Sequence, residues 1–113
     1  MTNKSKKILS ELSVGELLDK ISILEIKLTK IKNLNSQKEI KKEYKLLKKT
    51  KSLNIKETKK INQLFKEVKK INLKLWVIED KIRICEKNKN FGKIFISLAR
   101  AVYSTNDKRS KIK

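Results

Sequence analysis

Two long stretches of this chain repeat an apolar residue at strictly alternating spacings of three and four, and no proline interrupts them. The first line is Val14, Leu17, Ile21, Leu24, Leu28 and Ile31; the second is Ile61, Leu64, Val68, Ile71, Leu75, Ile78, Ile82 and Cys85. A helix, turning every ~3.6 residues, gathers such a line on one face, whereas a strand would scatter it over both faces. The line is narrow, as in the seam of a coiled coil. The chain is therefore read as all-α.

Capping chemistry sets the expected helix ends. Ser13 and Glu16 make a Ser-x-x-Glu capping box, and Leu12 with Leu17 can staple it. Asn33, Leu34 and Asn35 close this first helix. Ser36 and Glu39 make a second box, opening a lysine-rich helix over 37–50 with Ile40, Tyr44 and Leu47 on one face. A turn at 51–54 follows, with Asn54 as cap of a third helix over 55–87, roughly 50 Å long. Asn88, Lys89 and Asn90 end it. A fourth, shorter helix carries Phe91, Ile94, Phe95, Leu98 and Val102, and Ser104 and Asp107 are read as caps of a last basic turn.

The third helix has a second apolar stripe in its C-terminal half alone: Leu73, Trp76, Val77 and Ile84. A helix apolar on two faces is usually covered on both. Residues 71–85 are therefore expected between the first and fourth helices, either of which a second chain could supply. The organisation that follows is an antiparallel helical bundle with a coiled-coil-like hairpin and one short C-terminal helix. A flexible basic tail is expected at 1–10, a single helical-bundle domain at 11–107 with a lysine-rich projecting hairpin at 36–70, and a basic tail at 108–113.

Composition removes several function classes. The 113 residues include no His and one Cys, so neither a Cys/His zinc site nor a His-based triad nor an internal disulfide can be built. No metal and no cofactor is expected. The longest apolar run, Ile94 to Ala99, is too short to cross a bilayer, and Glu11 and Glu16 interrupt any apolar signal core. A cytoplasmic location is expected.

The net charge is +19, from 28 Lys, 3 Arg and 12 acidic residues. Lys, Ile and Asn supply 52 residues, all with AT-rich codons, so part of the lysine excess is attributed to codon drift. The charge is uneven. Residues 36–74 carry ten net positive charges, 11–35 none and 75–107 two. The middle segment has the electrostatic footprint of a polyanion binder. Its lysines at 38, 41, 42, 45, 48, 49 and 51 cover several helix faces, however, and only Tyr44 and Phe65 interleave as aromatics. That pattern fits non-specific, salt-sensitive attraction to nucleic acid, and equally a solvated helix.

Two segments, SVGELLDKISILEIKL at 13–28 and NLKLWVIEDKIRICEKNKNFGKIFISLARAVYSTNDKRSKIK at 72–113, carry a resemblance. They resemble a small family of uncharacterised bacterial and phage-associated helical proteins, through LW-x-IED-x-IR and LAR-x-VY-x-x-ND-x-R in particular. The resemblance covers about half the chain, and the lysine-rich middle matches only in being helical. It implies an all-helical fold and no particular activity, cofactor or substrate. Members of that family continue into another helical stretch, so the resemblance implies a shortened final pairing surface here.

The three arginines, Arg83, Arg100 and Arg109, stand apart in a chain that otherwise writes Lys, because only Arg offers a planar fork to a carboxylate or phosphate. They are read either as ion-pairing residues, Glu79 with Arg83 for example, or as an anion site. Asp80 lies within the second apolar stripe, so burial would require a partner; Arg100 is the candidate, in a buried ion pair or pocket with Glu79 nearby. Glu16 and Lys20 form a helix-stabilising pair. Asp19, Glu25 and Lys27 flank the first seam as a solvated face or, alternatively, as one wall of a pocket. Cys85 reads as a small buried hydrophobe and Trp76 as a packing anchor. Chorismate-mutase-type bundles place Arg, Lys and Glu between long helices, but that analogy is one of fold alone and the first helix here has no Arg.

These readings favour a non-enzymatic helical-bundle protein acting through protein–protein contact, as a homo-oligomer or with a helical partner. A basic accessory protein binding RNA, DNA or another polyanion is the alternative. A small anionic-ligand pocket near Arg83, Arg100 and Arg109 is the third.

Overall fold

A computed structural model describes residues 13–113 of the chain. The expected tail at 1–10 and the Leu12 staple lie outside the described residues. Within them are four α-helices and no strand: α1 (Val14–Lys30), α2 (Leu34–Asn54), α3 (Lys59–Lys87) and α4 (Lys93–Ile112).

Side-chain caps place most of the boundaries. The Glu16 N–H donates to Ser13 Oγ at 3.1 Å, satisfying one of the free donors of the first turn of α1. α2 starts earlier than the Ser36 box would place it, because Asn33 takes the cap: the Ser36 N–H donates to Asn33 Oδ1 at 3.0 Å. Gln37 Nε2 also reaches back to the Ile31 carbonyl at 2.8 Å, so the connection shrinks to a few residues. The expected turn at 51–54 is helical instead. Asn54 Nδ2 donates backward to the Thr50 carbonyl at 2.8 Å and so serves the end of α2. Thr58 caps α3 in its place, accepting from the Ile61 N–H at 3.2 Å.

α3 ends in a Schellman motif. The Asn90 N–H donates to the Cys85 carbonyl at 2.8 Å and the Lys89 N–H to that of Glu86 at 3.1 Å. Lys89 holds the left-handed position with φ of 54°, where glycine is the usual occupant. The chain reverses here, and α4 returns along α3. It is not the short helix expected. Its 20 residues run through Ser104 and Asp107 without a break and take in most of the segment read as a basic tail at 108–113.

α1 packs against both α2 and α3, and the α3–α4 contact is the most extensive in the molecule. The buried apolar residues are Leu17, Leu18, Ile21, Leu24 and Ile26 of α1 and Val68, Leu75, Ile78 and Cys85 of α3, whereas α2 contributes no buried residue. As expected, α3 packs against both α1 and α4, but its second stripe is covered only in part: Trp76 is half-buried, whereas Leu73, Val77 and Ile84 are exposed. α1 is itself buried on two lines, the seam and a second one of Gly15, Asp19, Ser22 and Ile26. The molecule is open, with a radius of gyration of 16.8 Å where a compact chain of this length has about 13 Å. No helix among the described residues is long and apolar enough to cross a membrane.

Candidate functional site

The second line of α1 carries a carboxylate and a hydroxyl into the interior. Asp19 and Ser22 are almost fully buried there, and Asn72 of α3 meets them, also buried. Asn72 Nδ2 donates to Asp19 Oδ1 at 2.7 Å and to Ser22 Oγ at 2.8 Å. This orientation of the amide is required, because an ionised carboxylate only accepts. Ser22 Oγ donates its own hydrogen bond to the Asp19 backbone carbonyl at 2.7 Å. The Asn72 carbonyl oxygen is left for Arg109 of α4, whose Nη1 donates to it at 3.3 Å.

Two cations balance the buried acid. Arg109 Nε lies 3.9 Å from Asp19 Oδ1, and Lys113 Nζ 3.4 Å from Asp19 Oδ2. An isolated carboxylate in this position would cost several kcal/mol, and the amide and the two cations offset that cost. Every buried side-chain nitrogen and oxygen among the described residues has a partner. Gly15 allows the arrangement to close. A Cβ there would sit 2.5 Å from the Lys113 carbonyl oxygen, so the first turn of α1 meets the end of α4 through bare backbone.

A second polar junction lies one and a half turns further along α1. Glu25 accepts from Tyr44 Oη of α2 at 2.9 Å and from Lys69 Nζ of α3 at 2.7 Å, joining three helices through one carboxylate. Burial, reinforced by the hydrogen bond to Glu25 and its negative charge, pushes the Tyr44 phenol above its usual pKa.

Beside the Asp19 cluster opens a cleft of about 240 Å³ between α1, α3 and α4. Ile23, Ile26 and Leu75 give it apolar walls, and Trp76 lines it with Asn72 and Asn106. Lys27, Glu79 and Arg109 bring charge to it. Among the described residues no group of three His, Cys, Asp or Glu side chains is placed to hold a metal ion.

The residues singled out from sequence are distributed unevenly over this geometry. Arg109 is in the cluster. Arg83 instead bonds Asp80 three residues before it, on an exposed face of α3, and Arg100 is exposed on α4. The three arginines therefore line no common cleft, and the Asp80–Arg100 pair does not form, because the face that would have buried it is open. Glu79 and Trp76 line the cleft. Of the α1 residues left between two readings, Asp19 and Glu25 hold interior contacts and Lys27 lines the cleft, as a pocket wall would. Asn72, Ser22, Gly15, Asn106 and Lys113 were not singled out. Asn72 had a readable signal: it is polar yet stands four residues after Val68 and three before Leu75.

No curated protein and no solved structure matches the chain. A family model described as a family of unknown function, DUF6165, matches residues 8–113. Both segments that build the cluster and its cleft, 13–28 and 72–113, fall within that match, and the chain belongs to this family of unknown function.

Proposed function

We propose that this protein is a non-enzymatic helical bundle that works through protein–protein contact, and first with a second copy of itself as a homodimer. The observation that carries this is the outer stripe of α3, where Leu73, Val77 and Ile84 are 38%, 47% and 58% exposed on the face opposite buried Val68 and Leu75. A second copy suits the stripe electrostatically. Val77 and Ile84 lie within residues 75–107, which carry only two net positive charges, so a chain of net charge +19 can approach its copy there with less repulsion than over the 36–74 region, whose edge holds Leu73. Stripe on stripe is also self-complementary, as a two-fold interface requires. The small core and open shape leave apolar surface whose burial contributes about 25 cal/mol per Å². The single cysteine, buried in α3, suits a reducing cytoplasm.

Sedimentation equilibrium tests the proposal. The wild type is expected as a dimer, and Val77→Glu with Ile84→Glu as a monomer of unchanged helical circular dichroism. A wild type that stays monomeric at high micromolar concentration overturns it.

A second reading rests on α2, which has no buried residue and exposes lysines around much of its circumference. Such a helix supports non-specific binding of nucleic acid or another polyanion. Duplex affinity should then fall steeply with salt, with a slope reduced by about one for each phosphate-contacting lysine reversed to Glu. Affinity unchanged in Lys41→Glu/Lys45→Glu/Lys48→Glu removes this reading.

A further inference from the structure

The cleft between α1, α3 and α4 takes Trp76 from the second stripe of α3 but none of its exposed residues Leu73, Val77 and Ile84, and it does not depend on self-association. Its volume, about 240 Å³, exceeds the ~150 Å³ that holds a benzene ring in an engineered cavity. One ring with a small substituent fits; a drug-sized molecule, which takes ~300 Å³ or more, does not. Trp76 offers an aromatic wall, with Ile26 and Leu75 as apolar neighbours.

The charges select the substituent. Arg109 spends one Nη1–H on Asn72 and turns Nε towards Asp19; among the described residues its guanidinium makes no other bond, and its side chain is 28% exposed. Lys27 has no ion pair or side-chain hydrogen bond among the described residues. The charged side chains that line the cleft are Lys27 and Arg109 against Glu79, which leaves one net positive charge. A single negative charge on the ligand balances it. A phosphate dianion would leave an excess of negative charge beside Glu79.

We propose that this cleft binds a small aromatic carboxylate, its ring against Trp76 and its carboxylate between Lys27 and Arg109. The planar guanidinium presents paired donors to the planar carboxylate, and Asn106 lies on the same wall to complete the hydrogen bonding.

The chain has one tryptophan, so its single indole N–H resonance reports on the cleft directly. Benzoate, phenyl phosphate and acetate are the probes, titrated against the full chain. Benzoate is expected to move that resonance saturably, phenyl phosphate to bind more weakly, and acetate, without a ring, to leave it in place. Lys27→Met lies outside the Asp19 cluster; it should weaken benzoate about tenfold, the loss expected for one hydrogen bond to a charged group, with the melting temperature unchanged. Arg109→Lys should weaken it too, because it removes the fork. The proposal is overturned if benzoate produces no saturable shift, if acetate or phenyl phosphate matches it, or if Lys27→Met binds benzoate as the wild type does.

Discussion

Asn72 is the hub on which the three-helix junction depends, and replacing it with leucine isolates that role. Asn72→Leu keeps the branching and the number of heavy atoms of the side chain but removes two donated bonds, to Asp19 and Ser22, and one accepted from Arg109. The bond to the ionised Asp19 is worth about 1.5–3 kcal/mol and the neutral one to Ser22 about 1 kcal/mol. Ser22 keeps its own bond to the Asp19 carbonyl, and Asp19 keeps its two cations, so neither is left wholly unpaired. The net expectation is a loss of about 3 kcal/mol. A chain of this size has roughly 6–15 kcal/mol of stability, so the loss is a large fraction and should lower the melting temperature by about 10 °C or more. Urea denaturation followed by circular dichroism measures it. The double variant Asp19→Leu/Asn72→Leu should cost less than the sum of the two single changes, because removing both partners leaves no unmatched acceptor. A single-variant loss below about 0.5 kcal/mol, the range of ordinary surface changes, would refute the assignment of Asn72 as hub.

Gly15→Ala would gain up to about 1 kcal/mol of helix propensity in an open position. Here the new methyl meets the Lys113 backbone, so a net destabilisation of about 1–2 kcal/mol and faster amide exchange over the last turn of α4 are expected. Lys89→Gly removes the side chain from a left-handed position and should raise stability by about 1 kcal/mol in thermal melts. Tyr44→Phe should cost about 1 kcal/mol at neutral pH by leaving Glu25 with Lys69 alone. Because the folded state raises the Tyr44 pKa, this contribution is fully present below the ordinary tyrosine value near 10. It is lost as pH rises through the higher folded value. The stability gap between wild type and Tyr44→Phe should therefore narrow above about pH 10, and a gap that widens there contradicts the bond to Glu25.

The features legible in the linear chain were those whose causes lie within a turn or two. Ser13 caps α1, the seams of α1 and α3 form helices, and the Asn88–Asn90 stretch ends α3, because capping and helical periodicity act over three or four residues. Where two local solutions competed, the nearer contacts decided: Asn33 displaced Ser36, and Thr58 displaced Asn54, each through a bond to a backbone N–H three residues on.

Which stripe is buried is a different kind of fact. α1 and α3 each carry two apolar or mixed lines, and periodicity alone cannot rank them; burial depends on which helices meet and at what angle. Each has two neighbouring helices, yet the packing put Asp19 inside and left Asp80 on an exposed face with Arg83. The contact that unites the site spans 53 residues, from Asp19 to Asn72, with Arg109 another 37 further on. The sequence by itself determined four helices, the ends of the first three to within a few residues, and a basic surface concentrated in α2 and early α3. Only the tertiary structure decided that Asp19, Asn72 and Arg109 share one interior cluster with Trp76 beside it. Helix formation is a local balance along the chain, whereas a site between helices exists only once their packing angle is set.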